Sequence, residues 1–185
     1  MILGIDVSTS ITGFAIVDND GKIVLSEACD LRKNKDFFSK CLTMREKILD
    51  LCDKYCAIMN DEQGITHIYI EQPFTFFNSG GSSGKTMAAL QRFNGVVSWM
   101  VYECFELQPE YLGATQARKL VGIKVPRGQK AKKVVIEHLL ATEPDFTIEY
   151  THRGNPKPQE FDRADALVIA RAGLQDIKNK TLAEE

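Results

Sequence analysis

The chain has 185 residues, 44% of them hydrophobic and 26% charged, with a formal net charge of −2 at neutral pH. That length suits a single domain, residues 1–185, around one substantial core, and no apolar run approaches the ~18 residues of a membrane span. The N-terminus opens on a strand-like run without a charged leader, and the five cysteines (Cys29, Cys41, Cys52, Cys56, Cys104) are an odd count without CxxC spacing. A soluble, cytoplasmic protein with reduced structural thiols is expected, rather than a disulfide scaffold or a zinc module.

Ile2 to Val7, Thr12 to Val17 and Lys22 to Ala28 are apolar or alternating runs, separated by Ser8-Thr-Ser10 and by the hairpin-type turn Asp18-Asn-Asp-Gly21. They predict three antiparallel strands. Asp36 to Ile58 carries Phe38, Leu42, Ile48, Leu51 and Tyr55 at helical intervals, and Ile65 to Glu71 reads as a buried strand, so a strand, helix, strand crossover follows. After a loop rich in Pro, Phe and Gly come a long helix from Ser83 to Glu106, a short strand within Phe105 to Leu112, and helices over Thr115 to Val121 and Gln129 to Ala141. Pro156 and Pro158 close a loop before a final helix, Glu160 to Lys178, beyond which the last few residues are expected to fray. This order predicts an α/β fold: a central mixed five-stranded sheet, three strands antiparallel and then parallel ones, flanked by helices.

Four acidic residues stand at distant points of this frame. Asp6 lies between Ile5 and Val7 in the first strand, where an unpaired buried charge is costly, and Glu71 is equally awkward after Ile68-Tyr-Ile70. A cation bridging the two removes both penalties. Asp162 and Asp165 share a helical stripe with Ile169 and Ala172, so an acidic pair extends a core-directed face; acids in a first helical turn are also favoured by the macrodipole, which offers a purely structural reading of the pair. Taken singly, each acid could be surface charge or a cap. Together they are a candidate divalent-cation site.

The charge is unevenly distributed. Between Ala114 and Ile136 lie Arg118, Lys119, Lys124, Arg127, Lys130, Lys132 and Lys133 and no acid, leaving 16 cations against 25 acids elsewhere, so the segment carries +7 and the remainder −9. A phosphate-binding face beside an acidic metal site fits that asymmetry, and a solvated helix face is the plain alternative.

Ile5-Asp-Val-Ser-Thr-Ser-Ile-Thr-Gly-Phe-Ala15, Glu71-Gln-Pro-Phe-Thr-Phe-Phe-Asn78 and Asp162-Arg-Ala-Asp-Ala-Leu-Val-Ile-Ala170 together resemble the RuvC family of Holliday junction resolvases, in the ribonuclease H-like superfamily. The resemblance spans nearly the whole chain. It implies a structure-selective DNA endonuclease acting as a homodimer, in which Asp6, Glu71, Asp162 and Asp165 hold two Mg2+ ions, with Mn2+ able to substitute. Glu71-Gln72-Pro73-Phe74 matches the family's EQ-x-F signature, which implies that Phe74 stacks against unpaired bases at the junction. Gln116 to Ile123 followed by Gln129-Lys130 resembles a segment ending in a phosphate-contacting lysine, which points to Lys130. A second basic residue expected about three turns further along has no match, since Ala141 and Thr142 lie there. The location implied is the cytoplasm of a bacterium or of a phage-infected host.

The chemistry agrees with the resemblance. In-line hydrolysis of a phosphodiester uses two hard cations with oxygen ligands, and of the three histidines only His152, in the loop before Asp162, is near enough in sequence to assist. Ser79-Gly-Gly-Ser-Ser-Gly-Lys-Thr86 resembles a P-loop but lacks the first glycine and does not follow a strand directly. The glycines are better read as a mobile loop that lets Phe74, Phe76, Phe77 and Lys85 approach DNA, with a helix N-terminus near Ser83 to receive a phosphate; core packing is the alternative for the three phenylalanines and the preferred reading for Phe76 or Phe77. Asp6 to Gly13 also resembles the phosphate loop of actin-like phosphotransferases, which need two such domains. A binding module without catalysis is the third reading, and retention of four acids that repel phosphate argues against it. The long helix from Ser83, with Met87, Leu90, Val97, Met100 and Val101, is a candidate dimer interface, and core packing accounts for the same residues equally well.

Overall fold

The computed structural model describes residues 1–56, 64–73 and 84–184. Strands β1 (Ile2–Asp6), β2 (Ile11–Val17) and β3 (Ile23–Asp30) form an antiparallel meander. Asp18 closes the β2–β3 turn: its Oδ1 accepts from the amides of Asp20 at 3.0 Å and Lys22 at 2.7 Å, and Gly21 takes a φ of +88° that favours glycine. Helix α1 (Phe37–Tyr55) starts behind Asp36, whose side chain accepts from the Ser39 amide at 3.0 Å in a capping box. Its core stripe is Cys41, Met44, Ile48 and Leu51. Leu42, turned about 100° from Cys41, is exposed, as is Phe38 in the first turn.

Strand β4 (His67–Glu71) returns parallel to β1, and β5 (Glu110–Leu112) pairs parallel with β4. The sheet order is β3-β2-β1-β4-β5, the mixed five-stranded sheet expected from the sequence. The remaining helices are α2 (Gly84–Phe105), α3 (Ala114–Leu120), α4 (Ala131–Thr142) and α5 (Pro158–Glu184). Alternation along the strands feeds two cores. Leu3, Ile5, Phe14, Ile16, Ile68 and Ile70 pack with α1 and α2, whereas Ile2, Ala15, Val17, Tyr69 and Leu112 pack with α3, α4 and α5.

One helix boundary departs from the expectations. Helix α5 begins at Pro158 instead of Glu160 and runs to Glu184; proline at the first helical position has no amide to lose and a preset φ, so it opens the helix rather than closing the loop. In α2, Val97 and Val101 belong to the core, and the exposed apolar residues are Trp99 and Tyr102, their rings 5.9 Å apart. Phe74, Phe76, Phe77 and most of the P-loop-like segment lie outside the described residues, while Lys85 sits exposed in the first turn of α2. The cysteines form no disulfide, and burial pushes the Cys52 thiol up to about 12, which suits a structural role. Among the described residues no helix is long and apolar enough to cross a membrane.

Candidate active site

The period of the strands decides which carboxylates meet. Ile2, Gly4 and Asp6 of β1 share one face with Tyr69 and Glu71 of β4, and the parallel register sets Ile5 beside Ile70. Asp6 and Glu71 therefore end neighbouring strands on the side covered by α5. That helix approaches closely. A Cβ on Gly13 would stand 1.9 Å from the Asp162 carbonyl oxygen, and one on Gly4 would stand 2.4 Å from the Ala170 amide nitrogen. Gly13 faces Asp6 across the β1–β2 pair, so the glycine that admits α5 also brings Asp162 and Asp165 to Asp6. The two aspartates continue the stripe of buried Ile169 and Ala172, as their spacing predicts.

Gly13→Ala should therefore push the start of α5 off the sheet. Overpacking of this kind costs about 1–3 kcal/mol, a fall of roughly 3–10 °C in the melting midpoint for a chain of this size. An unchanged midpoint in a thermal scan would show that strand and helix separate without penalty.

The first-turn acid of α5 is Glu160, not Asp162. Glu160 is 1% exposed and pairs with Arg163, whose Nε donates to the Ser26 carbonyl at 3.0 Å, tying the helix start to β3. The macrodipole accounts for Glu160 and leaves Asp162 and Asp165, a turn further in, without a capping role.

Burial and mutual repulsion shape the electrostatics. Asp6 is 9% exposed, and desolvation, followed by the charges of Glu71 and Asp165, holds its pKa well above the usual carboxylate range. Burial and the Asp165 charge push Glu71 up to about 7. Asp162 and Asp165 are raised by burial too, with the Lys132 ammonium pulling in the opposite direction. Lys132 reaches in from α4, its Nζ 2.9 Å from Asp162 Oδ1 and 3.5 Å from Asp165 Oδ2. Burial opposes its charge, but attraction to Asp162, Asp165 and Asp6 outweighs that and raises its pKa.

The other cations named from the sequence separate into two groups. The Arg118 guanidinium acts through space on Glu71 and Asp165. Lys130 is the exposed N-cap of α4, Lys124 and Arg127 lie exposed between α3 and α4, and Lys133 points to solvent with Glu137 at 3.5 Å. Lys132, and not Lys130, enters the carboxylate cluster. His152 stands exposed on the turn before α5.

Three contributors escaped the sequence reading. Asn94, 4% exposed on α2, donates from Nδ2 to the Glu71 carbonyl at 3.3 Å and so positions the end of β4; a polar residue amid apolar helix neighbours was its signal. Thr12 Oγ1 donates to the Ser8 carbonyl at 2.9 Å and accepts from the Ser8 amide at 3.2 Å, which fixes the turn after Asp6. Arg32, held by Asp30 through Nε at 2.9 Å, acts through space on Asp162. Nothing in its local sequence marked it.

Among the described residues no three of these side chains form a ready metal cage, and the Lys132 ammonium is interposed between the α5 carboxylates. The donor chemistry nevertheless fits a hard divalent cation. Four carboxylates offer oxygen alone, desolvation penalises their charges, and one cation is already drawn in to offset them.

No family model and no curated protein matches the sequence. Among solved structures, Thermus thermophilus RuvC in complex with a Holliday junction substrate is similar over 97% of this chain and 96% of its own, at 15% identity and a TM-score of 0.64. The chain has the RuvC fold. A second structure of Thermus thermophilus RuvC matches with the same coverage at 16% identity and a TM-score of 0.62. The yeast mitochondrial Holliday junction resolvase Ydc2 matches over 94% of this chain and 77% of its own, at 14% identity and a TM-score of 0.54. At these identities the likeness to RuvC is one of architecture.

Proposed function

We propose that this protein is a Mg2+-dependent endonuclease that cuts branched DNA, four-way junctions foremost, as a dimer, with Asp6, Glu71, Asp162 and Asp165 as its metal-holding carboxylates. The observation that carries the reading is their convergence in one desolvated cluster faced by Lys132 and Arg118, on a fold shared with a RuvC solved on a Holliday junction substrate. Asp6, Glu71, Asp162 and Asp165 would hold the Mg2+ ions, which would supply positive charge to activate a water and to stabilise the leaving oxygen. The chain's own groups do the positioning. Lys132 and Arg118 stand where non-bridging phosphate oxygens approach, Asn94 and Thr12 hold the strand ends, and the exposed lysines of the basic segment add sequence-independent affinity. Phe74 retains the base-stacking role implied by the resemblance.

A junction has two strands to cut, so two copies related by a twofold axis are the natural arrangement, and α2, with Trp99 and Tyr102 exposed, is its interface in this reading. Sedimentation of the free protein tests that state. Cleavage of a four-way junction, a flap and a linear duplex side by side, with Mg2+ and with EDTA, tests the activity. Metal-dependent incision of the junction in preference to the duplex supports the proposal; binding without incision of any substrate leaves a DNA-binding module instead.

Lys133, exposed and on the solvent side of α4, separates affinity from chemistry. Lys133→Ala should weaken binding to junction and duplex alike and lower the salt slope by roughly one unit, with little effect on the rate at saturating protein. An unchanged slope would make Lys133 an ordinary solvated charge.

A further inference from the structure

One stripe of α2 is exposed along its length. Ala88, Arg92, Gly95, Trp99 and Tyr102 follow one another at alternating spacings of four and three residues, all of them exposed, which is the period of a seam between two helices. Its two halves differ in size. Ala88 and Gly95 are small, whereas Trp99, 62% exposed, projects beside Tyr102 with the rings 5.9 Å apart. Gly95 is the odd member, because glycine weakens a helix interior and a Cβ there would meet nothing within 4 Å. No contact among the described residues calls for it. The halves differ in charge as well: α2 carries Lys85 and Arg92 before Gly95 and Glu103 after Trp99, none of them ion-paired among the described residues. The Arg92 guanidinium lies over the Phe37 ring, 3.6 Å from its centroid, and keeps its charge.

The buried side of the same turn reaches the carboxylate cluster. Asn94 and Ser98 precede Gly95 and Trp99 by one residue each; Ser98 Oγ donates to the Asn94 carbonyl at 2.8 Å, and Asn94 Nδ2 donates to the Glu71 carbonyl at 3.3 Å. We infer that a second copy of this chain docks antiparallel on the stripe, with Trp99 on the partner's Gly95, and that this joint fixes the turn from which Asn94 holds Glu71, so that the cation site of each copy is completed only in the pair. A notch beside a projecting indole is self-complementary under a twofold axis. Antiparallel pairing sets large on small and Glu103 toward Arg92, whereas parallel pairing sets notch on notch and like charges together. A lipid surface would use the rings and give the bare glycine no role. The inference rests on the nuclease reading for its dimer and its cation.

Two measurements test it without cleavage. Sedimentation velocity over a concentration series gives the dimer dissociation constant, and Mn2+ titration followed by electron paramagnetic resonance gives the metal affinity. Gly95→Ala should raise the dissociation constant roughly tenfold or more, since a tight joint resents an added methyl, and Gly95→Glu should be monomeric throughout. Helix content should hold in both, because the space at Gly95 is open in the single chain. Monomeric Gly95→Glu should bind Mn2+ about tenfold more weakly than the wild-type dimer, as loss of support behind a ligand does, and wild type diluted to monomer should show the same loss. Asn94→Ala should weaken Mn2+ alike while the dimer persists. A wild-type dimer whose Mn2+ affinity falls on dilution, in a protein that cuts no DNA, would keep the inference and remove the nuclease reading. A protein that cuts, yet stays dimeric in Gly95→Glu or binds Mn2+ equally well as a monomer, overturns the inference and leaves the nuclease standing.

Discussion

Glu71→Gln is expected to lower junction incision by about 1000-fold, equivalent to roughly 4 kcal/mol of transition-state stabilisation, while the metal-free protein melts no lower than wild type. The two halves share one cause. Burial and the Asp165 charge push the Glu71 carboxyl up to about 7, so without metal its ionised form opposes folding near neutral pH. Glutamine keeps the shape, removes that charge, and removes a metal ligand with it. Asp6→Asn should behave alike, since desolvation and the charges of Glu71 and Asp165 raise Asp6 in the same way. Junction affinity in Ca2+ should hold or increase, because one negative charge facing phosphate is gone. Cleavage rates, melting curves and fluorescence anisotropy on the same preparations give all three readings; near-normal Mg2+-dependent cleavage by Glu71→Gln would remove the carboxylate from the mechanism.

The second large effect is a pH dependence that Mg2+ reverses. Glu71 has a folded pKa of about 7 against an ordinary 4.5, and Asp6 is raised as well. An acid with a raised folded pKa contributes stability that is complete below its unfolded value and is lost as pH rises through the folded one. Metal-free protein should therefore lose stability between about pH 5 and pH 8, with a shallower loss in Glu71→Gln. Lys132, raised above the usual lysine range, stays charged across this window and adds no slope. Mg2+ competes with the proton, so it stabilises more at pH 8 than at pH 5. At a hundredfold excess over its dissociation constant it should add about 2.7 kcal/mol at the higher pH, a rise of roughly 5–10 °C in the midpoint. Melting curves at both pH values, with EDTA and with Mg2+, are the measurement. A midpoint at pH 8 indifferent to Mg2+ would contradict the assignment of these carboxylates as ligands.

Much of the frame is local, and local chemistry is readable in a sequence. Asp18 and Gly21 make the β2–β3 turn with their own side chain and backbone freedom, and Asp36 with Ser39 starts α1. Near-continuous apolar runs in Ile2 to Asp6 and in His67 to Glu71 mark two buried strands that each end on a charge, and a buried charge needs a partner. That necessity makes the acidic set legible in the sequence. Helix boundaries were less so: reading Pro158 as a loop residue moved the start of α5 and lent Asp162 and Asp165 a capping role that belongs to Glu160.

What each cation meets was decided only in three dimensions. Lys132 and Lys133 are adjacent in sequence, yet one reaches Asp162 and the other faces Glu137 and solvent, because neighbouring helical positions diverge by about 100° and α4 must dock on α5 before either direction has a meaning. Arg32 joins the site from the far end of β3, and Asn94 holds Glu71 from across the other core. Gly13 looks in sequence like a weak spot in a strand, and its use appears only where the Asp162 carbonyl comes to rest against it. The sequence alone determined the candidate carboxylates, the strands that end on two of them and the existence of a basic surplus, since these follow from residue type and period. The tertiary structure decided which lysine enters the cluster and how closely α5 approaches, since both depend on contacts between residues far apart in the chain.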